Sequence, residues 1–292
     1  MGPARAGVGC EADVLISDAS PLPGGQSFRV RLPGVHDHFG DRGGGLPDDA
    51  LLVRSLVEQC AYAALQDAEL LRDGEVPLNT CSHARITAEA LSLGLRGGLL
   101  ASCRVDEHGH SRTGRTRRVS AVCVLTAPDG RVLADGETRA GVLDRRLYRA
   151  WRGPSVVRAG SLAPAPAEPS PLLAPVRRRP ENQVLTDFRR GAKGHATAQL
   201  RLSSHRYLLP APADHVTGRL FAEATRQVVL TARGAYAVLS VLRLSFPRLC
   251  TLEQTVSVHA RPDPGSSDPG RWRVVFRQAG DTVCAAAVRT SA

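Results

Sequence analysis

The stretch Asp214–Gln227, DHVTGRLFAEATRQ, sets residues capable of chemistry at helical spacing. Gly218 opens an apolar run, Glu223 follows five residues on, and Arg226 and Gln227 come one turn later. A carboxylate inside an apolar helix is costly unless it has a partner or a task. Glu223 and Arg226 stand at i and i+3, so they can pair with each other. The flanking Leu220, Phe221, Val228, Val229 and Leu230 place such a pair in a buried setting. Asp214 and Thr217 supply N-cap chemistry, and His215 beside them is either a site residue or part of the cap. His36, His38 and His205 open the loops ahead of two long apolar runs. There they can relay a proton near a cleft or simply sit in solvent.

The elements that must hold these residues occur twice. Asp49–Gln59 echoes the opening stretch, Gln59 and Gln227 lie 168 positions apart, and His36 and His205 lie 169 apart. In each half a β-rich run comes first, SFRVRL at 27–32 and ATAQLRLS at 196–203. A loop and one long apolar helix follow, at 48–66 and 216–233. Strand-like runs then fill 84–95, 99–107, 117–126 and 131–142 in the first half. In the second they fill 235–246, 251–261, 271–278 and 282–290. PDG at 128–130 and AGD at 279–281 mark corresponding turns. This is an α+β layout. A helix apolar nearly all round must be wrapped, and a curved antiparallel sheet around a central helix is the hotdog arrangement. Two fused hotdog domains forming a pseudo-dimer are therefore expected. Their bounds are 1–153 and 183–292, joined by a Pro/Arg-rich linker at 154–182. Seven prolines between 154 and 180 rule out a helix or central strand there, and VRRRP at 176–180 reads as its soluble end.

Composition narrows the partners. Lys193 is the single lysine among 38 basic residues, and the net charge of +10 attracts acidic partners. Nucleic acid and acidic carrier proteins both qualify, but only 4% of residues are aromatic, which argues against base stacking on nucleic acid. HGHSRTGRTRR at 108–118 reads as a solvated hairpin. DRGGGLPDD at 41–49 lacks the GK[ST] of a phosphate loop and reads as a mobile lip. The seven cysteines contain no CxxC pair, so neither a disulfide framework nor a metal site is expected, and no cofactor is called for. No apolar run is long enough to span a membrane, and the N-terminus has no secretory core, so a cytoplasmic location is expected.

Gly218, Glu223-Ala224 and Gln227 resemble the central helix of hotdog enzymes such as the hydroxyacyl-carrier-protein dehydratases. The fuller string, HRYLLPAPA followed by DHVTGRLFAEATRQ, resembles the second repeat of the A-factor biosynthesis family, the γ-butyrolactone synthases of actinobacteria. That resemblance implies transfer of a β-ketoacyl group from an acyl carrier protein, or another acyl thioester, to dihydroxyacetone phosphate. Signalling butyrolactone or butenolide would be the outcome. It casts Glu223 as polariser or general base and Arg226 as a ligand for phosphate or thioester oxygen. The helix start near Gly218 would offer backbone donors. His215, Gln227 and His36 would line the substrate. The chain has Thr217 where the family has Pro, and Ala211-Pro212 where it has His-Pro. In the first copy Ser55 stands opposite Glu223 and Glu58 opposite Arg226; Glu58 is the carboxylate that could substitute there. The alternatives are a hotdog thioesterase or dehydratase on acyl carriers, or a non-catalytic protein binding an acyl ligand or nucleic acid. Leu209, fourteen residues before Glu223 where a dehydratase has His, weighs against dehydration.

Overall fold

The computed structural model describes residues 2–291 apart from 4–5, 9, 33–35, 42–48, 94, 96, 111–116, 154–155, 166–167, 169 and 235–236. Most of DRGGGLPDD and the middle of HGHSRTGRTRR lie outside the described residues. The chain divides into two compact units. The first comprises residues 1–33 and 52–156, the second 34–51 and 157–292.

In the first unit, strands β1 (Ile16–Leu22), β2 (Gly25–Val30), β3 (Glu75–Ile86), β4 (Leu100–His110), β5 (Arg117–Thr126) and β6 (Val132–Asp144) pair in the order β1-β2-β4-β5-β6-β3. In the second, β7 (Leu185–Arg190), β8 (Ala196–Leu200), β9 (Val238–Ser245), β10 (Val256–Pro262), β11 (Arg271–Gln278) and β12 (Asp281–Ser291) pair in the order β7-β8-β10-β11-β12-β9. Renumbered within its own copy, each order is the same, and every pairing inside a unit is antiparallel. The duplication therefore extends to topology.

It also extends to backbone detail. Asp18 and Asp187, 169 positions apart, adopt φ of 49° and 51° inside register breaks of β1 and β7. Such bulges break the alternation that marks a strand in sequence. Neither strand was among the expected runs for that reason. One expected run also differs. Residues 84–95 contain the end of β3 and then a short helix, α1 of the minor elements, Ala88–Leu93, started by Thr87 Oγ1 accepting from Ala90 N at 3.2 Å. The hydroxyl cap turns the apolar run from strand into helix.

Each unit is a hotdog, one long helix held by an antiparallel sheet. The first long helix, αA (Ala50–Asp67), starts at Asp49, whose Oδ1 accepts from Leu51 N at 3.0 Å. It packs so closely on β6 that a Cβ at Gly136 would lie 2.7 Å from Val57 Cγ2, so glycine is required there. The second, αB (Gly218–Arg233), is capped by Thr217, whose Oγ1 accepts from Leu220 N at 3.2 Å, and ends at Gly234 with φ of 94°. It lies against β7, β8, β9 and β10. Phe221 meets Phe276 at 4.9 Å between ring centroids, edge to face. Each such side chain contributes about 1.5–3 kcal/mol through burial.

The expected linker is a docked part of the second unit. Ala159 N and Gly160 N donate to Ala213 O and Ala211 O at 2.7 and 3.0 Å. Leu173, Val176 and Arg177 are buried. Its apolar residues anchor it, and the Gln183 amide ties it down by accepting from Ser170 N and donating to Arg177 O. VRRRP is thus not a solvated end.

Candidate active site

Glu223, in the middle of αB, is fully buried. It does not pair with Arg226. Arg177, from the proline-rich segment, grips it through two parallel bonds, Nε to Oε1 and Nη2 to Oε2, both 2.8 Å. Gln227 Nε2 adds a third donor to Oε1 at 2.7 Å. Burial alone would raise the Glu223 pKa, but the Arg177 charge and hydrogen bonds, with the contact to His38, hold it well below the usual carboxylate range. Glu223 is an anion with three of its roughly four acceptor positions engaged.

Arg226 turns instead to Asp49, Nε to Oδ2 at 2.7 Å. Desolvation opposes its charge, yet the Asp49 and Glu223 carboxylates raise its pKa. Among the described residues its Nη1 is buried with no hydrogen-bond partner.

Arg177 also organises the loop of the first histidine pair. Its Nη1 donates to His38 O at 2.7 Å and Asp41 O at 2.6 Å, and its Nη2 lies 3.1 Å from His38 Nε2. A guanidinium only donates, so His38 Nε2 accepts and carries no proton. Asn182 fixes the other ring nitrogen. Its Nδ2 donates to Asp37 O and Asp41 Oδ2, so its Oδ1 accepts from His38 Nδ1 at 3.3 Å and from His205 Nε2 at 2.9 Å. Burial, reinforced by the Arg177 charge, lowers the His38 pKa to about 3, so the ring is neutral. Glu223 Oε2 lies 3.4 Å from its Nε2.

His36 and His205 are turn caps. His36 Nδ1 accepts from His38 N and Phe39 N; His205 Nδ1 accepts from Tyr207 N and Leu208 N. In each ring Nδ1 is thus an acceptor, which leaves Nε2 as the protonated nitrogen. Tyr207 stacks on His38, with 5.5 Å between centroids and 30° between planes.

Around these rings lies a pocket of about 190 Å³. His36, His38, His205, Tyr207 and Asn182 line its inner part. At its edge Arg179 and Arg206 both pair with Asp37, at 3.1 and 3.3 Å. The Arg179 hydrogen bond is the main force lowering the Asp37 carboxyl pKa.

The remaining expected residues have other neighbours. Gln227 Oε1 accepts from Val184 N and its Nε2 donates to Asn182 O, at 2.9 and 2.7 Å, which fastens the chain entering β7. Gln59 makes the same clamp on Leu15 N and Asp13 O ahead of β1, at 2.7 and 2.8 Å. His215 is half-buried and bonds Asp214 Oδ1 at 2.8 Å. Gly218 is the first residue of αB. Ser55 is buried on αA, and Glu58 accepts from Arg54 Nη1 at 2.8 Å.

Arg177, Asp41 and Asn182 were not among the residues singled out in the sequence. Only Asn182 carried a signal, through the repeat. The clamp fixes a shift of 169 ahead of the first strand, matching Asp13 to Asn182 and Leu15 to Val184. The same shift sets Val8 opposite Arg177, so the first copy lacks both Glu223 and its cation.

Residues 176–292 match the family model of the A-factor biosynthesis hotdog domain. No curated protein sequence matches the chain. Among solved structures, the 12:0-ACP thioesterase of Umbellularia californica is similar in fold, with 10% identity, 93% of this chain and 99% of that chain covered, and a TM-score of 0.48. An acyl-ACP thioesterase of Bacteroides thetaiotaomicron shows 11% identity, coverage of 92% and 97%, and a TM-score of 0.47. Among the described residues, no helix is long and apolar enough to cross a membrane. The matched segment begins one residue before Arg177 and holds Glu223, Arg226 and Gln227, so the likeness to the A-factor biosynthesis hotdog domain covers the second unit's helix and sheet.

Proposed function

We propose that this protein is an acyltransferase that moves a β-ketoacyl group from an acyl-carrier thioester to a small glycerol-type acceptor such as dihydroxyacetone phosphate, on the way to a butyrolactone or butenolide signal. The observation that carries this reading is the small polar pocket of the second unit, about 190 Å³, with imidazoles inside and two arginines at its edge. Drug-sized apolar ligands occupy larger and more hydrophobic cavities. A phosphorylated triol-sized acceptor matches both the volume and the donors, its phosphate at Arg179 and Arg206, in exchange for Asp37.

In this reading Glu223 positions rather than shuttles a proton. It fixes Arg177, and Arg177 occupies the His38 Nε2 lone pair and so holds the ring in place beside the pocket. The acceptor hydroxyl attacks the thioester carbonyl, the C–S bond breaks, and the hydroxyl proton ends on the departing thiol, while His38 keeps its Nε2 lone pair on Arg177 and shapes the pocket. Arg226 serves as a fixed charge supporting the αB side of the site. The test supplies β-ketoacyl thioester and dihydroxyacetone phosphate and reads products by mass spectrometry. Phosphorylated ester or butenolide is expected. Free acid alone would make the protein a thioesterase, and no product from a folded sample defeats catalysis of this type.

A further inference from the structure

The outer face of the second unit's sheet carries a charge pattern that folding does not require. Register aligns Arg261 of β10 with Arg273 of β11, Arg273 with Ala287 of β12, and Ala287 with Arg243 of β9. One row across four strands therefore holds three arginines over roughly 14 Å, at about 4.8 Å per strand. A second row sets Arg271 directly opposite Arg289. Like charges placed opposite one another in a sheet are destabilising, and this face has two such pairs.

Two acids moderate the cost. Asp263 pairs with Arg273 at 2.9 Å, and Asp268 pairs with Arg289 at 2.9 Å and Arg271 at 3.8 Å. Arg243, Arg261 and Arg277 are exposed, and among the described residues no ion pair neutralises them. Between them lie the short side chains of Ala285 and Ala287 and the half-buried Val275.

We propose that this face docks an acidic protein, the carrier that delivers the acyl thioester; the identity of the partner rests on the acyl-transfer reading above. Uncompensated arginines around a small apolar centre are the composition of a protein interface. Nucleic acid fits less well. A duplex interface neutralises about six to ten phosphates, whereas three free cations are present, and among the described residues this face exposes no Phe, Tyr or Trp for stacking.

The experiment measures binding of an acidic acyl carrier protein by calorimetry at 50 and 300 mM salt. It also measures acyl transfer from that carrier and from a pantetheine thioester. Wild type and the triple variant Arg243→Glu, Arg261→Glu, Arg277→Glu are compared, with the corresponding serine set as a milder version if the reversed charges impair folding. Expected are salt-weakened carrier binding, at least ~10-fold loss of affinity and of carrier-dependent kcat/KM in the variant, and unchanged kinetics with pantetheine. Equal carrier affinity in variant and wild type overturns the proposal. So does binding of a 20-base-pair duplex with no binding of the carrier. Carrier binding that falls in the variant, with no acyl transfer from either donor, sustains the docking surface and defeats the acyl-transfer reading instead.

Discussion

Arg177 and Glu223 lie 46 positions apart and meet through two parallel 2.8 Å bonds in the interior of the second unit. Neither is more than 1% exposed. Removing one member strands a buried charge, at a cost of about 3–5 kcal/mol. Arg177→Met and Glu223→Leu should each destabilise by that amount, while the double variant should cost far less than their sum. Urea unfolding of the four proteins measures the coupling. Additive losses would mean that the pair does not act as a unit.

His38 gives the molecule an acid-sensitive stability. Its folded pKa of about 3 is depressed below the ordinary histidine value of 6.5. Between those values the unfolded chain binds a proton that the native chain refuses, so stability falls as pH drops below about 6.5. From pH 7 to pH 5 the loss from this ring is ~2 kcal/mol. Glu223, depressed well below 4.5, adds its own loss only as pH falls below about 4.5. Thermal unfolding of His38→Gln should show a flatter slope between pH 7 and 5. An unchanged slope would place the titration elsewhere.

The two glutamine clamps predict matched effects. Gln59→Leu and Gln227→Leu each leave a buried backbone N–H and C=O without their partner, at ~1–3 kcal/mol per group. Both variants should be destabilised in urea. Hydrogen exchange should quicken at Leu15 N in the first and Val184 N in the second, and loss at only one of them would break the equivalence of the copies.

The vacated first-copy position allows a reconstruction. Ser55→Glu alone places a carboxylate at a site that is 2% exposed, and should destabilise severely. Adding Val8→Arg, the position matching Arg177, should recover part of that loss. No recovery would show that the shift of 169 does not continue back to residue 8.

Much of this fold can be read in the chain. The long helices lie within two residues of their apolar runs, because a fully wrapped helix keeps its hydrophobicity on every face. The strands β4, β5, β6 and β9–β12 follow their expected runs, whereas β3, mostly half-buried along its length, shares only residues 84–86 with its expected run. β1 and β7 could not be read, since Asp18 and Asp187 interrupt the period with left-handed backbone. The site was half legible. Glu223 stood out because a carboxylate is conspicuous among Leu, Phe and Val. Arg177 did not, since it sits among other arginines and prolines. Its burial is decided by Glu223, His38 and Asp41, all at least 46 positions distant.

Residues 34–51 belong with residues 157–292, although residues of the first unit surround them in sequence. The matched family segment, 176–292, contains neither His38, Asp41 nor Asp49. A fragment trimmed to that segment would keep the helix and the sheet but lose the acceptor for Arg226 and the imidazole beside Glu223. The second unit's chemistry therefore cannot be excised or inherited as the matched segment alone: it travels only with the loop from the N-terminal half of the chain.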